Sequence, residues 1–290
     1  MLPNNSLFDI NNRLHWLTVK ISLAICLCLY LGYCLFSYKS QPFPVGVCKF
    51  IDCASLTSTF ALPFVTTIVL IASVLYVLEI YMIANTITLT IISVLLLSLE
   101  ESNGMTVENG VLSMAFFAQC LAYLFHRISP ESALSKNRLN YILQVVVAVY
   151  VLAGLSKLQT SGLNWFLNDA PKFALEIKRV LFAKYATEGN PYFLQKGNAV
   201  TTWLFNNLYF LRTILFSTLL IELLAFVMLF SRKISFFYAF VLLAMHLGIY
   251  LTMNITFPTI MLPMIIVTIN PLYWSVLFAN KCFRYWSTQF

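Results

Sequence analysis

Apolar positions in this chain fall in long unbroken runs. They do not alternate, and they are not confined to one stripe of a helix. Runs of about 20 apolar residues are the length a helix needs to cross ~30 Å of hydrocarbon. Such runs cover 21–38, Cys53–Leu78, Ile80–Leu99, Gly110–Phe125, Leu139–Ser156 and Thr213–Ser231. Between Ile234 and Asn280, His246 is the only residue among Asp, Glu, Lys, Arg and His. That stretch is too long for one span, and Asn254–Pro258 divides it in two. The pattern predicts an all-α helical membrane bundle of about eight spans, forming one domain over residues 1–290. The second and third spans are expected to meet in a tight turn near Glu79–Asn85. The one long polar break, Gln159–Asn206, reads as an extramembrane or interfacial segment. Its Phe173, Leu175 and Ile177 suggest a helix lying along the bilayer surface, with Trp165 and Trp203 at headgroup level.

Composition supports the same solvent. The chain is 60% hydrophobic and 10% charged, with a mean hydropathy of +0.82. A soluble domain carries about a quarter charged residues, so this chain could not cover itself with polar side chains. The net charge of +7 suits cytoplasmic loops rich in Lys and Arg. No basic aromatic patch or phosphate-binding glycine loop points to nucleic acid. Cytoplasmic termini put Arg13, Lys20, Arg127, Lys136, Arg138, Arg232, Lys233, Lys281 and Arg284 inside. Lys39 and Lys49 then lie outside, beside the acidic Asp52, Glu100, Glu101 and Glu108. The expected location is a bacterial inner membrane with both termini cytoplasmic, although Lys172, Lys178, Arg179, Lys184 and Lys196 count against that orientation. The first apolar run lacks a small-residue cleavage site and is expected to be retained as a helix, preceded by an amphipathic start (Leu7, Phe8, Leu14, Trp16).

The seven cysteines show no metal-ligand spacing, and no metal is expected. Cys48 and Cys53 share a predicted external loop, where a disulfide can form. The chemistry lies in ionisable residues at bilayer depth, each costing about 2.5–3.5 kcal/mol on insertion scales. Lys157 closes the fifth run. Its plain reading is a lysine reaching back to the interface; its functional reading is an amine inside the bundle acting as a base. Ala153, Gly154 and Ser156 favour the second, because small residues let helices approach closely. Glu222 has nine uncharged residues on either side. It must be protonated or paired, with Lys157, His246 and Arg212 as candidate partners, or simply bond between helices. His246, Tyr250 and Asn254 make a polar stripe at i, i+4 and i+8, structural by default and a proton path otherwise. Glu79 is a marginal fourth case.

Three segments carry a resemblance: "AGLSKL" with Trp165 eight residues after the lysine, Glu222 within "LLIELLAFVMLFSR", and "AMHLGIYLTMNITFPTIMLPMIIVTINP". Together they resemble the horizontally transferred transmembrane (HTTM) family, the membrane module of vitamin K-dependent γ-glutamyl carboxylase and of many bacterial proteins. The similarity runs over about Met1–Trp286 and is strongest after Tyr150. It implies that Lys157 is the base that deprotonates a reduced quinone. Glu222 and His246 would complete the catalytic set, with Trp165, Tyr250 and Asn254 as candidate cofactor-binding residues. Where the carboxylase has an assisting Asn-His pair, this chain has Glu108–Asn109. It also stops just past its last apolar run, so protein glutamate carboxylation is not the expected reaction.

Three functions follow. The first is a membrane enzyme with Lys157 as base on a lipid-soluble, quinol-like substrate. The second is a non-catalytic factor that helps a small peptide or partner protein to mature or be exported, using Gln159–Asn206. The third is a proton- or ion-coupled transporter with Glu222 and His246 on the path, disfavoured by the lack of an internal repeat.

Overall fold

A computed structural model describes residues 13–38, 40–103, 110–126, 131–255 and 257–287; no strand occurs among them. Twelve α-helices follow one another among the described residues. They are α1 (Arg13–Ser37), α2 (Ala61–Val77), α3 (Met82–Glu101), α4 (Gly110–His126), α5 (Glu131–Ser161) and α6 (Asn164–Leu167). Then come α7 (Ala170–Glu188), α8 (Pro191–Asn206), α9 (Leu208–Leu223), α10 (Arg232–Met253), α11 (Pro258–Thr268) and α12 (Pro271–Ser287).

Among the described residues five segments are long and apolar enough to cross a bilayer: Arg13–Ser37, Met82–Glu101, Arg138–Ser161, Leu208–Leu229 and Arg232–Met253. A sixth forms if Ile260–Thr268 and Pro271–Asn280, bent by 41°, count as one span. The bend is set by Asn270, which is fully buried at φ 51°. Its side-chain amide donates to the His15 carbonyl at 3.1 Å and to Thr18 Oγ1 at 2.9 Å. Pro271 then opens α12, a position where its missing N–H costs nothing. The other two apolar helices, α2 and α4, have 17 residues each, about 25 Å of rise. The apolar run from Cys53 is therefore not helical throughout. Its first part is a 3-10 turn, Cys53–Thr57, capped by the Asp52 carboxylate and tied by a Cys48–Cys53 disulfide. These helices have the make-up of an integral membrane protein.

The chain divides into two compact units, Met1–Val146 with Pro258–Phe290, and Val147–Phe257. In the first, Leu23, Leu27, Tyr76, Leu89, Leu96 and Phe116 are almost wholly buried. The Tyr76 hydroxyl donates to Gln119 Oε1 at 2.6 Å, so even its polar atom is satisfied in the core. The α1–α2 loop lies over the end of α3. A Cβ on Gly46 (φ 58°) would sit 2.7 Å from Ser98 Oγ, so glycine is required there twice over. The turn between α2 and α3 spans Leu78–Tyr81 and is tighter than Glu79–Asn85. It holds two non-glycine residues in the left-handed region, Glu79 at φ 61° and Tyr81 at φ 48°, a conformation that persists only where surrounding contacts enforce it.

In the second unit, the stretch 159–206 is mostly helical. After α5 ends at Ser161, α7 and α8 pair as a hairpin with its own apolar core of Ala174, Ile177, Leu181, Phe193 and Leu204. Leu211, Leu215 and Met253, from α9 and α10, join that core. Pro191 opens α8 behind an Asn190 cap that accepts from the Tyr192 N–H at 3.0 Å. Of the expected amphipathic start, Leu14, Trp16 and Leu17 belong to α1, where Trp16 is buried, while Leu7 and Phe8 lie outside the described residues, as does the Glu108–Asn109 pair.

Candidate functional site

The site is built on one face of α5. Tyr150, Gly154 and Lys157 stand four and three residues apart, one above the other along the helix. Gly154 admits α9: a Cβ there would lie 3.0 Å from Leu223 Cδ2 and 3.3 Å from Glu222 Cβ. The close approach brings Glu222 opposite Lys157, one turn further along α5. Lys157 Nζ donates to the Glu222 carboxylate and forms an ion pair with it. The side chain of Glu222 is 8% exposed and that of Lys157 25%. Of the three partners considered for Glu222, Lys157 is the one the fold supplies. The Arg212 guanidinium lies 5.9 Å from the Tyr209 ring centre.

Glu222 also sits where α9 tightens into a 3-10 segment, Leu224–Leu229. Such a change of pitch leaves carbonyls without helical partners. The neighbouring Ile221 carbonyl is taken up by the Tyr238 hydroxyl of α10 at 2.6 Å. The carboxylate therefore projects from a turn pinned from outside the helix.

Trp165 lies beside the pair: the Lys157 ammonium stands 5.5 Å from the centre of its ring, a cation–π arrangement. The ring packs edge-on against Phe173 at 6.1 Å. Trp203, the other tryptophan of this stretch, is 51% exposed and packs against Phe210.

His246 on α10 is 6% exposed, and its Nε2 hydrogen-bonds the Tyr150 hydroxyl at 2.9 Å. The Phe257 ring tilts against the imidazole at 5.3 Å. The predicted stripe does not extend beyond the histidine. Tyr250 points outward and is 43% exposed. Asn254 ends α10 in the left-handed conformation, and its carbonyl accepts from Lys184 Nζ at 2.5 Å. For Asn254 the reason is that α10 stops at Met253, whereas Tyr250 still lies within the helix. Neither residue is described as bonding the Lys157–Glu222 pair.

Tyr150 was not singled out from the sequence. Its signal was its position two turns before Lys157, on the face that Gly154 opens. Among the described residues no group of three His, Cys, Asp or Glu could hold a metal ion. Three buried side-chain nitrogens of this unit have no hydrogen-bond partner among the described residues: Trp165 Nε1, Arg212 Nε and His246 Nδ1. A buried donor left unpaired costs about 1–3 kcal/mol, and each needs a reason.

The helices and the part-buried charge pair define the class: a helical protein composed for a membrane, with a lysine–glutamate pair in one of its two units. No protein-family model, curated protein or solved structure matches this chain.

Proposed function

We propose that this chain is an HTTM-like integral membrane enzyme with eight spans and cytoplasmic termini, in a bacterial inner membrane. In this reading Lys157, paired with Glu222, removes a proton from a lipid-soluble, quinol-like substrate. The observation that carries it is the direction of Lys157: its amine turns onto a carboxylate and an indole ring of its own unit. A lysine that only snorkelled would leave both.

A reduced quinone, once bound, would supply an acidic O–H and two electrons. The two side chains supply the proton acceptor. A charged pair in low dielectric lies close in energy to its neutral form, because desolvation penalises both ions. Passage of the shared proton from Nζ to the Glu222 carboxylate frees the amine lone pair. Nζ then takes the substrate's proton and is an ammonium again, while Glu222 keeps the first. Net charge is unchanged throughout, which suits a site that cannot solvate an extra ion. The buried nitrogens of Trp165 and His246 fit a molecule with acceptor oxygens better than a pure hydrocarbon.

The test is spectroscopic. Anaerobic addition of a short-tailed naphthohydroquinone to the protein in lipid nanodiscs should shift the probe's ultraviolet absorption to that of its deprotonated form. Lys157→Ala should abolish the shift. An unshifted spectrum with wild-type protein would remove the reading. Mass spectrometry of the lipids and quinones retained on purification identifies the native molecule.

A further inference from the structure

Tyr150, His246 and Trp165 are not needed for proton transfer between Lys157 and Glu222, yet two of them end in buried nitrogens without partners. The imidazole has its orientation fixed at one end. The Tyr150 hydroxyl carries its own proton and reaches Nε2 at 2.9 Å. When it donates there, the single proton of a neutral ring sits on Nδ1, because the partner of one ring nitrogen decides the state of the other. That Nδ1 is buried and meets no hydrogen-bond partner among the described residues. Trp165 Nε1, which can only donate, is in the same condition. Both rings meet the same face of α5: Trp165 lies 5.5 Å from the Lys157 ammonium, and His246 bonds Tyr150, two turns before Lys157.

We infer that His246 Nδ1–H and Trp165 Nε1–H are the donors that hold the oxygens of the lipid-soluble substrate against Lys157, with Tyr150 as the positioning residue that sets the imidazole tautomer. The inference rests on the proton-transfer reading above and narrows its substrate class. Two N–H groups beside a cation select an uncharged or anionic molecule with hydroxyl or carbonyl oxygens on an apolar frame. They give nothing to a hydrocarbon, which would leave both donors unpaired, and they repel cations. A quinone ring meets these requirements in both its oxidised and its reduced state, since its oxygens accept hydrogen bonds in each.

Calorimetric titration of nanodisc-embedded protein with a naphthoquinone bearing one isoprene unit tests this. Saturable binding is expected for the wild type, weakened about tenfold by His246→Ala and about tenfold by Trp165→Phe, the worth of one lost hydrogen bond in each case. His246→Asn keeps an N–H near the place of Nδ1 and should stay within about threefold of wild type; His246→Gln, with its N–H near Nε2, should not. Those two variants make the comparison if His246→Ala lacks the wild-type thermal transition. Nitrogen NMR of histidine-labelled protein supplies a second readout. The signal missing in His246→Asn should report the Nδ1–H tautomer, and Tyr150→Phe should disturb it. Wild-type binding that neither His246→Ala nor Trp165→Phe weakens overturns this inference and leaves proton transfer by Lys157 standing. A ring protonated at Nε2 also overturns it. No binding by folded wild-type protein overturns both.

Discussion

Lys20 bonds to Glu79 in the first unit, and Lys157 to Glu222 in the second. The first lysine is almost wholly buried, at 3% side-chain exposure, while its carboxylate is 44% exposed. In the second pair the carboxylate is the buried member. Glu79 is crowded with donors. Trp16 Nε1, Lys20 Nζ and Arg138 Nη1 all reach its Oε1, at 2.8, 3.0 and 3.1 Å. Lys20 also gives a bond to the Val77 carbonyl at 2.7 Å, and Arg138 one to the Tyr123 hydroxyl at 2.9 Å. That cluster closes a strained turn and fixes three chain segments; its proton positions are over-determined. Lys157 is the one side chain described as bonding the Glu222 carboxylate, so a single proton has two places to rest. Redundant bonding makes a clamp, and a lone pair makes a proton acceptor.

The largest effect should come from breaking the lone pair. Lys157→Met strands a buried carboxylate, and removing one member of a buried pair costs about 3–5 kcal/mol. With Lys157 partly exposed, the lower end of that range applies. Replacing both partners, Lys157→Met with Glu222→Leu, should recover most of the loss, because an apolar pair needs no desolvation. Unfolding by denaturant in detergent micelles measures all three chains. A double variant as unstable as the single one would mean that the cost lies in packing and not in charge.

Gly154 sharpens the comparison by a smaller amount. Alanine there places its Cβ 3.0 Å from Leu223 and 3.3 Å from Glu222 Cβ, and overpacking of this kind costs about 1–3 kcal/mol. Since α9 must move away, the spectral shift of the bound naphthohydroquinone should weaken together with stability. A Gly154→Ala protein that is destabilised but deprotonates the probe as well as wild type would uncouple the close approach from the site.

How far these features could be read in advance depended on range. The apolar runs predicted α1, α3, α5, α9 and α10 because each helix carries its own signal within 20 or so residues. Lys157 and Glu222 stood out for the same reason, since each breaks an apolar run, and Glu222's position ruled out an approach to water. The pairing itself joins residues 65 apart and had to be chosen among three candidate partners. Tyr150 carried only a weak mark, its place on the face of Gly154 and Lys157, because a tyrosine in an apolar helix is ordinary until a histidine 96 residues away meets it. Asn254 leaves the stripe because α10 ends at Met253, and periodicity cannot see where a helix ends; Tyr250, still within α10, is 43% exposed. Asn254, a residue that tolerates the left-handed conformation, was the local signal for that end. The clamp at Glu79 was legible only as a marginal charge, since its partners come from α1 and α5.

The smallest effect belongs to that clamp, and its signature is pH. Burial alone would push the Glu79 carboxyl upward. The bond and charge of Lys20, the Trp16 N–H and the charge of Arg138 outweigh burial and hold it below its ordinary value of 4.5. A carboxyl depressed in the folded state stabilises the fold above its unfolded value and loses that contribution as pH falls through the folded one. Because the carboxylate is nearly half exposed, solvent screening limits the contribution to about 1 kcal/mol. Glu79→Gln should therefore lower the melting temperature slightly near neutral pH and leave it unchanged in acid, where the wild-type carboxyl is protonated too. The two melting curves, followed from about pH 7 to about pH 3, should converge below the ordinary carboxyl range. Curves that stay parallel would show that Glu79 acts through the shape of its turn alone, and the contrast with Glu222 would then rest on burial and not on how many donors each carboxylate holds.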